Sequence, residues 1–306
     1  MPPLSQTRAY VALLLIATLW GTFPATSKLA LADMPPTLLT AVRCVIAAAL
    51  LCALVLRAGF DAARALTGEA IRSFFVLGTA GFVVSTQISY WGIYTTSAAN
   101  AAILQATAPV MVALGARAYL GERLRRTQQV GVAISMLGVL LVVTEGRLAE
   151  LAPSELRLGD FLTLLALGGW TVATVYGKRV LGGHSPLLTT TAAYVCGTLV
   201  LIPLAVVTAP FTPRPRLASP IAWAVLLYHA IPGAVAHLWW YAGVERVGPS
   251  RAAIFMNVTP IVGLGMAALL VGEEIGRWQL VGAAMVLGGV ALTTGGRTAV
   301  RPPARS

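Results

Sequence analysis

The chain has 306 residues, of which 57% are hydrophobic and only 11% charged, and its mean hydropathy is +0.79. Soluble domains carry roughly 25% charged residues, so a water-soluble enzyme is excluded and the composition is that of an integral membrane protein. The net charge of +11 must then be explained by where the basic residues sit, because no basic cluster with interleaved aromatics marks a nucleic-acid site.

Apolar stretches long enough to cross a core of ~30 Å recur ten times, at about 9–31, 37–56, 72–94, 97–119, 127–144, 158–181, 186–208, 220–243, 249–271 and 277–294. Their length, with no alternation between turns, predicts helices and not the strands of a barrel. The first stretch follows Arg8 but is too long for a signal h-region and lacks a small-residue cleavage site, so it stays as the first span. It carries Trp20, Pro24 and Lys28. Pro24 reads as a local kink that can swing the end of the span as a gate. Lys28 has two readings: snorkelling to the interface, or attraction of a substrate carboxylate together with Arg43. Arg43 lies about seven residues into the second span, roughly 10 Å deep, and Asp33 in the adjoining loop is its only near acid.

In the third span Gln87, Tyr90, Trp91 and Tyr94 stand at i, i+3, i+4 and i+7, one face of a helix. The fourth supplies the amides Asn100 and Gln105 and then Pro109; the sixth supplies Trp170. The eighth presents His237, Trp240 and Tyr241, and the ninth Asn257 followed by Pro260. Pro109 and Pro260 fall near mid-span, where a proline frees the carbonyls of Gln105 and Met256. In a bilayer such groups persist only where a neighbour or water satisfies them. The expectation is therefore a paired kink shaping a solute cavity walled by aromatics, with amides and His237 as polar contacts. The plainer alternative is an interfacial aromatic belt with interhelical hydrogen bonds, which suits Tyr94 and Trp91 near a span end.

With the N-terminus in the cytoplasm, fourteen of the 22 basic residues fall in cytoplasmic segments and five in outer loops, while Lys28, Arg43 and Arg117 lie within apolar spans. The positive-inside rule then puts both termini in the cytoplasm. Cys44, Cys52 and Cys196 all lie in spans and form no CxxC pair, so they read as packing residues. The nominal glycosylation signal at Asn257 sits in mid-membrane and is unusable.

The chain repeats itself. A shift of 150 pairs Trp20 with Trp170, Lys28 with Lys178 and Pro36 with Pro186. A shift of 151 pairs Tyr90 with Tyr241, Ala101-Ala102-Ile103 with Ala252-Ala253-Ile254, Pro109 with Pro260, Gly121-Glu122 with Gly272-Glu273, Gln128 with Gln279, Gly131 with Gly282 and Gly138 with Gly289. Each copy holds five spans, an odd number, so the second enters the membrane from the opposite face. That is an inverted repeat, the plan secondary transporters use for alternating access. The expected domains are a first repeat at 8–145, a second at 157–296 and a cytoplasmic basic tail at 297–306.

Trp20-Gly21, Arg43, the stretch TSAANAAILQATAPV with the following GERL, and NVTPIVGLGMAALLVGEE together resemble the EamA-type branch of the drug/metabolite transporter superfamily. The resemblance covers all ten spans. It implies a bacterial inner-membrane exporter of small metabolites, often amino acids, with a central cavity lined by spans 1, 3, 4, 6, 8 and 9. Ala193 stands where Arg43 would recur, so the arginine has no counterpart in the second repeat.

Enzymatic readings fail on inventory. There is no HExxH, no phosphate-cradling GxxxxGK[ST] and no soluble domain for ATP, and His184, His229 and His237 have no intramembrane carboxylate to complete a metal site. The expected partners are a small-molecule substrate and the lipid bilayer, with no cofactor, metal or nucleic acid, and the expected unit is a monomer. Within the transporter class the alternatives are a carrier of vitamins, nucleosides or drug-like solutes, or a proton-coupled antiporter. Cationic drugs are disfavoured, since no Asp or Glu occurs between residues 9 and 31. Asp33, Asp61, Glu69, Glu122, Glu145, Glu150, Glu155, Asp160, Glu245, Glu273 and Glu274 all fall in loops or at helix ends. His237, and less plausibly His229, are then the groups left to take up a proton near a cavity, and the expectation is facilitated export without obligatory proton exchange.

Overall fold

In a computed structural model of the chain, the structure describes residues 6–59, 67–120, 126–146 and 157–294. The tail 297–306 and the GERL segment lie outside them. The described residues form helices and connecting turns, without strands. In chain order the α-helices are α1 (Gln6–Gly21), α2 (Phe23–Leu31), α3 (Pro36–Arg57), α4 (Gly68–Gly78), α5 (Ile88–Thr95), α6 (Ala98–Gln105), α7 (Ala108–Leu120), α8 (Arg126–Val143), α9 (Leu158–Val180), α10 (Pro186–Thr208), α11 (Pro220–Val247), α12 (Pro249–Ile254), α13 (Val258–Met266) and α14 (Arg277–Thr294).

Several expected spans are broken, and each break has a local cause. The first divides at Thr22, whose hydroxyl and amide both turn back to the Leu19 carbonyl, and Pro24 follows in the first turn of α2. The third is α-helical only at its ends, with a π-helical stretch, Thr79–Gln87, between α4 and α5. The fourth breaks between Gln105 and Ala108, and the ninth passes through a 3₁₀ turn, Phe255–Asn257. Pro109 and Pro260 therefore stand in the first turns of α7 and α13 and not in mid-helix. A missing N–H is harmless there, since first-turn amides have no intrahelical partner. Seven helical stretches are long and apolar enough to cross a membrane, and three shorter apolar ones, Arg126–Val142, Phe255–Val271 and Arg277–Leu292, accompany them.

The bundle is apolar outside and polar in places within. Leu56 is 80% and Leu269 82% exposed, whereas Arg43 is 2% and Asp160 and His229 are 0% exposed. That inversion suits a lipid solvent, in which only interior polar groups find partners. Glycines set the closest helix approaches. Along α8 and α14, a Cβ on Gly138 would lie 2.8 Å from the Gly282 carbonyl oxygen and one on Gly289 2.5 Å from that of Gly131, so the two helices run antiparallel in backbone contact.

Replacing Gly138 with Leu is expected to part α8 from α14 and destabilise the protein by about 1–3 kcal/mol, the usual cost of overpacking. Gly288→Leu is the control, because a Cβ at Gly288 meets nothing within 4 Å. Thermal unfolding in detergent should show a lowered midpoint for the first variant only.

Candidate functional site

Arg43 lies a third of the way along α3, a helix otherwise made of apolar and small residues up to its terminal Arg57. Its Nη1 donates to the Tyr90 hydroxyl at 2.9 Å, and that hydroxyl lies 2.6 Å from His229 Nδ1. On the far side of the imidazole, Nε2 is 2.9 Å from Thr26 Oγ1, whose own proton goes to the Thr22 carbonyl at 2.9 Å. The threonine proton fixes the direction of the whole chain. Thr26 accepts from Nε2–H, Nδ1 is left to accept from Tyr90, and Tyr90 accepts in turn from Arg43. Phe23 stacks on the His229 ring at 4.0 Å. The network ties α2, α3, α5 and α11 together and ends on the Thr22 carbonyl, which also accepts from the Thr26 amide at 3.0 Å.

No acid joins it. Asp33, the near candidate in the sequence, pairs instead with Arg216 at 2.5 Å. Nε and Nη2 of Arg43 have no hydrogen-bond partner among the described residues, and Arg43 borders a cavity of about 120 Å³ in the middle of the bundle. Trp20, Phe23, Tyr90 and Trp170 form the aromatic part of its wall, Ser27, Ser85, Thr86, Ser89 and Thr163 a hydroxyl part, and Gln105 and His237 add an amide and an imidazole. Trp20 and Trp170 meet edge to face with ring centres 5.0 Å apart. His237 Nδ1 lies 2.8 Å from the Gly233 carbonyl and 3.2 Å from the Tyr194 hydroxyl. The carbonyl can only accept, so Nδ1 carries the proton.

Of the candidates read from the sequence, the cavity gathers Trp20, Tyr90, Gln105, Trp170, His237 and Arg43. Trp240 and Tyr241 stand behind it. Trp240 packs against both Trp20 and Trp170, while the Tyr241 ring fills the space beside Gly177 and its hydroxyl reaches the Ala173 carbonyl at 3.5 Å. Trp91 is half-buried and pairs edge to face with the exposed Tyr94, on the outside of the bundle. Gln87 is buried without partners and off the wall. The face expected for Gln87, Tyr90, Trp91 and Tyr94 does not line the cavity as a unit: Gln87 ends the π-helical stretch, and of the three residues on the regular turns of α5 Tyr90 reaches the wall. Asn257 sits half-buried at the 3₁₀ turn, its Oδ1 unpartnered. Lys28 is half-buried at the end of α2, within electrostatic reach of Glu273. Sequence reasoning passed over Ser27 and Thr163, though a signal was there: Trp20, Phe23 and Ser27, and likewise Thr163, Leu167 and Trp170, repeat at helical spacing. It ranked His229 below His237, since partners on three other helices cannot be read from α11 alone.

The sequence profile described as the EamA-like transporter family matches this chain twice, over residues 7–144 and 157–295. The chain belongs to that family. It is 30% identical over 227 residues to the "Uncharacterized transporter YyaM" of Bacillus subtilis, covering 73% of each chain. It is 28% identical over 197 residues to a Salmonella typhimurium protein named "Probable amino-acid metabolite efflux pump", covering 61% of this chain and 64% of that one. A solved crystal structure shares the fold, with a TM-score of 0.69 at 19% identity over 95% of this chain and 97% of that one. The family suggested by the paired motifs is thus the one that matches, and this EamA-like protein is a multi-pass membrane protein of a transporter family.

The paired GE motif of this EamA-like transporter acquires a structural role at Glu273. Its two carboxylate oxygens accept from the backbone amides of Ala98 and Ala99 at 2.8 and 2.9 Å, capping α6 where the helix dipole is positive. Ser97 adds its own N-cap to the Asn100 amide, and the Asn100 side chain accepts from Gln279 at 2.6 Å. Asn100 therefore serves this end of the bundle and not the cavity. Its partner motif residue, Glu122, lies outside the described residues.

Tyr90→Phe removes the acceptor of Arg43 and the donor to His229 together. It should destabilise the transporter by about 1–3 kcal/mol, the cost of leaving a buried polar group unmade, read as a lowered midpoint of thermal unfolding in detergent. Tyr94→Phe, on the lipid-facing side, should not.

Proposed function

We propose that this EamA-like transporter exports small carboxylate-bearing metabolites, amino acids foremost, from the bacterial cytoplasm by alternating access through the cavity beside Arg43. The observation that carries the reading is the guanidinium: fully buried, without an acid, and with Nε and Nη2 free at the wall of a cavity faced by Trp20 and Trp170. A fixed cation of this kind favours an anionic group, and the planar fork suits a carboxylate. The aromatic wall suits an apolar side chain. The relative named as an amino-acid metabolite efflux pump supports the same class.

Alternating access needs two halves that exchange roles, which we take as inverted five-helix repeats at 8–145 and 157–296, ten spans in all. The two profile matches support this, and so does the symmetry of two contacts. Trp20 meets its repeat counterpart Trp170, and exchanging the repeats converts the Gly138–Gly282 contact into Gly289–Gly131. In this reading the protein is a monomer in the inner membrane with both termini cytoplasmic, its partners being the solute and the bilayer. Pro24, Pro109 and Pro260 follow the breaks about which the halves would move. Vitamins, nucleosides and drug-like solutes of the same size form the second reading. Cationic drugs fit it poorly, since no carboxylate lines the cavity.

Arg43→Gln should weaken the solute by about 1.5–3 kcal/mol, the worth of hydrogen bonds to a charged group. Trp170→Ala should weaken it by about 1–3 kcal/mol through lost apolar contact. Counterflow in proteoliposomes with labelled amino acids, nucleosides and riboflavin measures both effects, and uptake of the last two classes alone would overturn the amino-acid reading. Topology reporters fused after residue 306 should report the cytoplasmic side, as the basic-residue count requires.

A further inference from the structure

Asp160 is an acid that the solute site does not use. It is the third residue of α9, at a helix end as the sequence places it, yet its side chain is completely buried. Oδ1 accepts from the Thr96 hydroxyl at 2.5 Å, and Oδ2 has no partner among the described residues. A glycine seam buries it. A Cβ on Gly159 would lie 2.6 Å from the Gly92 carbonyl oxygen and 2.6 Å from the Thr96 amide nitrogen, and one on Gly92 would lie 2.6 Å from Thr163 Oγ1. Thr163 bonds back to the Gly159 carbonyl and lines the central cavity. The acid thus stands three residues from the cavity wall, roughly 4.5 Å along the helix axis, behind a contact between α5 of the first half and α9 of the second.

The charges around Asp160 give it no salt-bridge partner among the described residues, although Arg157 acts on it electrostatically. Arg157, at the start of its own helix, is paired with Glu145. From α6 and the α5–α6 junction it faces Asn100 and Thr96, both uncharged, and Glu273 is taken up by the amides of Ala98 and Ala99. No Lys, Arg or His among the described residues comes within salt-bridge distance of it. An ionised carboxylate costs several kcal/mol in such surroundings unless it is paired. A proton on Oδ2 removes that charge.

We infer that Asp160 is the proton site of an exchange cycle in which one proton enters for each solute exported. With the α5–α9 seam open to the outside, a proton from solution bonds to Oδ2. The seam then closes over the neutral acid. When the cavity opens inward the proton leaves past Thr163, restoring the carboxylate as the solute takes its place beside Arg43. This rests on the alternating-access reading above and departs from the expectation of a facilitator, whose premise was that every acid falls in a loop or at a helix end.

Two measurements test it, one of them independent of any solute. Infrared spectra of the detergent-solubilised transporter at neutral pH should contain the C=O stretch of a protonated carboxylic acid, lost in Asp160→Asn. Absence of the band in the wild type, or its persistence in the variant, overturns the proposal. In proteoliposomes, an imposed pH gradient should drive labelled phenylalanine above its equilibrium distribution in the wild type. The ratio of gradient-driven to equilibrium accumulation should fall to one in Asp160→Asn, and in Thr96→Val its pH dependence should shift without the ratio reaching one. Wild-type accumulation indifferent to the gradient, or coupling retained in Asp160→Asn, overturns the proposal. Failure of all amino acids in counterflow with the infrared band present would sink the solute reading and leave the proton site standing.

Discussion

A guanidinium placed in an apolar bundle without a carboxylate is the constraint from which much of this structure follows. Arg43 cannot shed its charge, so its surroundings must supply hydrogen bonds, and within reach they come from Tyr90. Tyr90 in turn needs an acceptor to orient it, which is His229; His229 needs Thr26 to fix its tautomer; Thr26 gives its own proton to the Thr22 carbonyl, which also accepts from the Thr26 amide. Four helices are brought to one point by a sequence of polar obligations, each of which would be costly to leave unmet in a low-dielectric interior. What this leaves over, Nε and Nη2, has no hydrogen-bond partner among the described residues, in a side chain that borders the cavity.

The irregular backbone is concentrated around the same space. Trp20 and Phe23 flank the Thr22 break, Ser85 and Thr86 belong to the π-helical stretch, Gln105 and Ala108 bound the gap before Pro109, and Met256 lies in the 3₁₀ turn. All of them line the cavity. Non-helical backbone at membrane depth is tolerated where it is buried in protein or borders a polar space, and π bulges and 3₁₀ turns commonly mark functional positions. The regular and closely packed contacts lie elsewhere, above all along α8 and α14, where glycines let two backbones touch. The transporter is thus closely packed along α8 and α14 and irregular at its centre, which suits a movement that opens the centre without separating these two helices.

The end of the bundle near α6 shows how two readings of one residue type are decided by packing. Glu273 and Asp160 both look, in the sequence, like acids at helix ends. Glu273 spends its charge on two helix-capping amides, so its role is to hold α6 in place. Asp160 is sealed by the contact of Gly92 with Gly159 and has only Thr96 on one oxygen.

The sequence by itself determined the membrane class, the family and the internal repetition. Hydropathy is additive along the chain, and paired motifs survive as strings whatever they touch. It also put Tyr90, Trp20, Trp170, Gln105 and His237 among the cavity candidates and Arg43 among the groups that could attract a carboxylate, because polar and aromatic residues in apolar spans are few and each stands out. Tertiary structure alone decided the rest. Gln87 and Trp91 stand off the wall, Trp240 and Tyr241 fell behind it, and Asn100 went to Gln279. Asp160, three residues into its helix, became a buried acid. The physical reason is common to all of these. Burial and hydrogen-bond satisfaction belong to pairs of residues far apart in sequence, such as Asn100 with Gln279 or Gly92 with Gly159, and a helical register read from one segment carries no information about the partner it will meet.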